Sequence, residues 1–216
     1  MSGLNRRDFL RASALAVGTI VVSSGLQGCL SSSSSDDAAR ELSFNHGVAS
    51  GDPLADRVII WTRVTPLDGR SADISVGWEI ATDAAFTDLV HSGTATTGAA
   101  RDYTLKVDAQ NLLPGTTYYY RFKAADVISP VGRMKTLPAG SIDQVRFAVM
   151  SCSNYPAGYF HVYAAAAAES ELDAVIHLGD YIYEYGNGGY ATEDAAALGR
   201  LLPDNNGGEI LTLTDY

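Results

Sequence analysis

Cysteine is scarce in this 216-residue chain, which has only Cys29 and Cys152. A disulfide framework is therefore excluded, and an apolar core must hold the fold together. Positive charge is scarce too. Fifteen Lys and Arg stand against twenty-five Asp and Glu, a net charge of −10. Such a surface repels nucleic acid and anionic headgroups, so a nucleic-acid role is excluded. Long hydrophobic runs are also missing. The stretch Ala12 to Val22 is too short, and too rich in Ala, Gly and Ser, to span a bilayer permanently. There is no internal repeat.

What is present at the N-terminus reads as an address. Asn5-Arg6-Arg7-Asp8-Phe9-Leu10-Arg11 before the apolar run reads as a Tat-type export signal carried by Arg6 and Arg7. Leu26-Gln27-Gly28-Cys29 matches the pattern at which bacterial lipoproteins are cleaved and acylated, with Cys29 as the acylated residue. Residues 1–28 are thus expected to be a signal peptide and 29–43 a polar tether, opened by Ser31 to Asp37. Removing residues 1–28 takes away three Arg and one Asp and moves the net charge from −10 to −12. The product is expected on the membrane through its lipid, periplasmic or at the cell surface, after handling by the Tat machinery. That route carries folded proteins, often with a cofactor already in place.

Two regions follow. From 44 to 138 the pattern is of short strands separated by turns. Val76, Trp78 and Ile80 share one face of a strand, and Tyr118, Tyr120, Phe122 and Ala124 share one face of another. Further strands are expected at 58–64, 89–94, 103–108 and 131–136, with an opening strand at 44–49. This makes seven at sandwich spacing. Leu112-Leu113-Pro114-Gly115-Thr116-Thr117-Tyr118 resembles the turn and tyrosine corner of fibronectin type III domains, so an all-β sandwich of that type is expected here. From 141 to 216 the periodicity changes. Val145–Met150 and Asp173–Leu178 are apolar strand runs flanking an Ala-rich helix near 160–170. That is a βαβ unit, whose strands should be parallel and buried. After Asn187 an irregular surface loop or lid is expected.

Chemistry collects at the ends of these two strands. Ligands of parallel α/β sheets bind at the carboxyl ends of strands. Cys152 ends the first strand and Asp180 the second, after a Gly179 that lets the chain bend. Neighbouring strands lie ~4.8 Å apart, so thiolate and carboxylate can face one cavity. Tyr183, three residues past Asp180, can turn back toward it. A phenol, a thiolate and a carboxylate together favour a hard, highly charged metal such as ferric iron, which would hold tyrosine as phenolate. The plainer readings are that Asp180 caps a turn and Cys152 is an inert core thiol. No catalytic residue is identifiable apart from these metal ligands. Strand alternation turns His177 away from Asp180, as a core or supporting residue.

Three segments carry a resemblance. Ser151-Cys152-Ser153-Asn154-Tyr155-Pro156-Ala157-Gly158-Tyr159-Phe160, His177-Leu178-Gly179-Asp180-Tyr181-Ile182-Tyr183-Glu184-Tyr185-Gly186 and Thr212-Leu213-Thr214-Asp215-Tyr216 are similar to the PhoD-type alkaline phosphatase/phosphodiesterase family. The resemblance implies a calcineurin-like metallophosphoesterase, incomplete here after its first βαβ part, that hydrolyses phosphate mono- or diesters with Fe3+ and Ca2+. It implies that Cys152 and Tyr183 ligate the iron and that Asp180 bridges it to calcium. The family's other ligands, among them an Asp-Asp-His-Glu-type segment and later histidines, come from strands further on. The chain is therefore expected to be an N-terminal part, inactive alone and disordered beyond about Gly186. A competing reading is a non-catalytic envelope lipoprotein whose β-sandwich serves adhesion or scaffolding, in which Cys152, Asp180 and Tyr183 have no evident task.

Overall fold

The computed structural model describes residues 40–202, 208–212 and 215–216. The export signal at Arg6 and Arg7, the acylation site at Cys29 and most of the tether lie outside these residues, as do Leu213 and Thr214 of the third resembling segment. Residues 40–216 form one compact unit. Among the described residues no helix is long and apolar enough to cross a membrane.

Ten strands build the sandwich: β1 (Leu42–Ser43), β2 (Val48–Gly51), β3 (Arg57–Arg63), β4 (Thr65–Pro66), β5 (Ile74–Ala81), β6 (Leu89–Thr97), β7 (Thr104–Gln110), β8 (Thr117–Ala124), β9 (Val127–Ile128) and β10 (Gly132–Lys135). One sheet has the order β2-β3-β7. The other runs β10-β8-β5-β6, with β9 added to β8, and β1 pairs with β4 as a short ribbon. All these pairings are antiparallel. Seven principal strands therefore stand where seven are expected. The opening one is displaced: the stretch 44–49 holds a turn, closed by Gly47 N–H donating to the Phe44 carbonyl at 3.0 Å, with Gly47 at φ +66°. Only a residue at home in the left-handed region takes that bend cheaply, so the strand starts after it, at Val48.

Alternation on β8 puts Tyr118, Tyr120, Phe122 and Ala124 in the core, each no more than 2 % exposed. They pack in one apolar cluster with Val58 and Ile60 of β3, Leu105 of β7 and Val76 and Ile80 of β5. Each large side chain so buried stabilises the fold by about 1.5–3 kcal/mol. Tyr118 keeps its hydroxyl satisfied in the core by accepting the Leu113 N–H at 2.9 Å, five residues back, as in a tyrosine corner. The tether expected up to residue 43 ends sooner. Arg40 is buried, donating to the carbonyls of Arg70 and Ala72 at 2.8 Å and pairing with Asp68 at 3.4 Å.

Beyond the sandwich lie β11 (Phe147–Met150), helix α1 (His161–Ala168), β12 (Ala174–His177) and helix α2 (Ala195–Leu198). Strands β11 and β12 are parallel neighbours, Val149 opposite Ile176 and Met150 opposite His177. The expectation that they are buried does not hold. Phe147, Val149 and Val175 are 53, 58 and 57 % exposed, and α1 has no buried residue. A two-stranded sheet has too little surface to bury its own faces, and α1 presents mostly alanine methyls. The stretch after Asn187, expected to be irregular, contains α2, whose Ala195 is fully buried. Edge strand β10 holds this region to the sandwich: Arg133 donates to the carbonyl of Ser170, and Lys135 pairs with Asp173 at 2.5 Å.

Candidate metal centre

The two strand ends are laced together before any side chain is considered. Leu178 N–H donates to the Met150 carbonyl at 2.9 Å, Cys152 N–H to Gly179 at 3.1 Å and Ser153 N–H to Asp180 at 2.8 Å. The parallel pairing thus continues past both strands into the turns that follow. Those turns are strained. Cys152 has φ +67° and Asp180 has φ +53°, with Gly179 between strand and turn at +122°. Glycine takes such values freely, but Cys and Asp do so only where surroundings impose it. Both candidate ligands therefore sit on backbone bent to aim them.

Their side chains meet. The Cys152 thiol donates to Asp180 Oδ2 at 3.6 Å, and the Tyr183 hydroxyl donates to the same oxygen at 3.1 Å. Cys152 is exposed, so the inert core-thiol reading is not what the fold presents. Tyr183 is only partly covered, yet its pKa is pushed above the ordinary tyrosine value. The largest cause is its hydrogen bonding with Cys152, followed by lost solvation and the carboxylate of Asp180. Three groups that each become anionic on deprotonation are thus pressed together, the chemistry of a cation site. Among the described residues no cluster of three or more His, Cys, Asp or Glu has metal-binding geometry. The group here reaches three donors only by including a tyrosine. Beside it lies a cavity of about 310 Å³, walled by Ser153, Tyr155, Phe160, Tyr163, Tyr181 and Tyr183 among others.

Comparison with known proteins shows the family. The PhoD-like phosphatase N-terminal domain matches residues 29–138, and the PhoD-like phosphatase domain matches residues 147–216. The chain belongs to the PhoD-like phosphatase family. It is 43% identical to alkaline phosphatase D of Bacillus subtilis (strain 168) over 180 residues, covering 80% of this chain and 30% of that protein. It also superposes on the solved structure of PhoD with a TM-score of 0.71 and 42% identity, over 80% of this chain and 33% of the other. The chain thus spans about a third of the length of these relatives.

Two features of this PhoD-like region escape sequence reasoning. His177, expected as a core or supporting residue, enters a polar group with Ser153 and Tyr163. Arg200 lies 3.7 Å over the Tyr155 ring and 4.9 Å over that of Phe160, and its Nε donates to the Tyr155 carbonyl at 2.6 Å. Cation–π stacking of this kind contributes about 0.5–2 kcal/mol and fastens the segment after α2 onto the loop after Cys152. The repeated aromatics of Tyr155–Phe160 were the available signal. A lone arginine 45 residues away gave none.

Proposed function

We propose that this chain is part of an exported, lipid-anchored metallophosphoesterase that hydrolyses phosphate mono- or diesters, with Cys152, Asp180 and Tyr183 holding its metals. The observation carrying this reading is the convergence of Cys152 Sγ and Tyr183 OH on one oxygen of Asp180. On this reading β11, α1 and β12 open an α/β metallophosphoesterase domain over 141–216, and 44–138 is a fibronectin III-like domain. Residues 1–28 are the Tat-type signal, and Cys29 carries the lipid at the periplasmic face or cell surface.

The donor set suits Fe3+ with Ca2+. Thiolate and phenolate, from Cys152 and Tyr183, favour a highly charged ion, whereas calcium takes oxygen ligands, which leaves Asp180 as the residue able to serve both. When bound, such metals supply Lewis acidity and a water ionised near neutral pH. Tyr183 gives up its phenolic proton only beside a strong local cation, because Cys152 and Asp180 oppose its ionisation. The same cation offsets the repulsion between an anionic ester and a chain whose net charge is −12 once residues 1–28 are removed. Three donors are fewer than the six or more that calcium takes. The 216-residue chain alone is accordingly expected to bind metal weakly and turn over no phosphate ester.

The test is metal analysis of native protein from the envelope fraction, wild type against Cys152→Ala. Iron per protein should fall at least tenfold in the variant, and the visible absorption of an iron-bound tyrosinate should vanish. A Cys152→Ala protein that keeps its iron, colour and activity would overturn the assignment.

A further inference from the structure

We infer that His177 is a positioning residue whose single ring locks the Cys152 turn to the Asp180 turn. The inference rests on the metal-site reading above for its purpose, though not for its geometry. The ring has a partner at each nitrogen. Gly179 N–H donates to Nδ1 at 3.3 Å, and Nε2 lies 3.0 Å from the Tyr163 hydroxyl and 3.2 Å from Ser153 Oγ. Ser153 and Tyr163 are themselves in close hydrogen-bond contact. A backbone N–H can only donate, so Nδ1 must accept. The neutral ring then carries its proton on Nε2 and donates it to the oxygens of Tyr163 and Ser153.

This tautomer decides between two uses of a serine next to a histidine. An activated nucleophile needs a lone pair on the nitrogen facing the hydroxyl. Here that nitrogen carries the proton, so His177 cannot take one from Ser153. What remains is a mechanical role. Nδ1 holds Gly179, the residue before Asp180, while Nε2 holds Ser153, the residue after Cys152. Tyr163 brings in α1, so one imidazole joins both strand ends and the crossover helix. A carboxylate and a thiol on left-handed backbone need such support, since each would otherwise relax toward ordinary φ values.

The test uses the full chain and two readouts. Amide exchange by NMR comes first, without metal. In His177→Phe, exchange at Cys152, Ser153 and Gly179 should speed at least tenfold while the β11–β12 ladder stays within twofold. His177→Gln keeps a donor for Ser153 and Tyr163 but offers Gly179 no acceptor in place, so Gly179 alone should lose protection. That variant carries the test by itself should the Phe variant not fold. Titration with Co2+ comes second. His177→Phe should bind at least tenfold more weakly yet show the thiolate-to-cobalt absorption at saturation, and His177→Gln should fall between it and wild type. Turn amides unchanged in both variants, or acceleration spread equally along the ladder, would overturn the inference. If the exchange pattern is as expected but Cys152→Ala leaves Co2+ binding unaltered, the clamp stands and the metal assignment fails instead.

Discussion

Tyr120 shows how one side chain writes a pH dependence into the whole fold. It is 2 % exposed, and burial raises its pKa to about 12, against a small opposing effect from Ser50. In the unfolded chain the phenol titrates near 10, so below that pH both states are protonated and the contribution is complete. Above it the unfolded state ionises first, and stability drains away until the native phenol titrates near 12. The loss is about 2–3 kcal/mol, at 1.36 kcal/mol per unit. Tyr120→Phe is expected to flatten the alkaline limb of stability, measured by urea unfolding between about pH 9 and pH 12. Equal limbs in the two proteins would show that Tyr120 is not responsible. Tyr183 is raised in the same direction by a different cause, its neighbours Cys152 and Asp180. Its proton is therefore harder to remove than an ordinary tyrosine's without a cation present.

At the scale of elements, two aromatic side chains lie across the β5-β8 sheet on glycines of neighbouring strands. Trp78 on β5 is paired with Gly93 on β6, and a Cβ there would meet the indole at 2.6 Å. Tyr120 on β8 is likewise paired with Gly132 on β10, where the clash would be 2.2 Å. Gly93→Ala should cost about 1–3 kcal/mol of overpacking, seen as a lower urea midpoint with unchanged slope. An unchanged midpoint would mean the indole swings aside freely. Alternation made β5, β8 and the tyrosine corner legible in advance, because a half-buried strand writes its faces into every second residue. The turn at Phe44–Gly47 was not legible, since one glycine decides it. Cys152, Asp180 and Tyr183 could be singled out as candidates because strand ends are predictable, and their side chains do converge. Their left-handed backbone and the ring that braces them arise from tertiary contacts that no local pattern records. The exposure of β11 and β12 was misjudged for a related reason: an apolar run states what a strand prefers to meet, not what meets it.

For the molecule as a whole, that exposure is the feature with the largest consequence in solution. Phe147, Val149, Val175 and Ile176 leave apolar surface on a sheet whose two strands, among the described residues, pair only with each other. Exposed strand edges of this kind pair between molecules. The purified chain should therefore self-associate as concentration rises, and Val149→Lys should shift it toward monomer in light scattering after gel filtration. A wild type that stays monomeric at high concentration would show those faces to be benign. The bent backbone under Cys152 and Asp180 has a different reach. A left-handed L-residue costs about 1–2 kcal/mol that glycine does not incur, so Cys152→Gly relieves strain while deleting the proposed ligand. Any selection for heat resistance that ignores chemistry would drift toward glycine at these two positions. Improvement of the scaffold by that route would erase the two side chains on which the proposed chemistry depends.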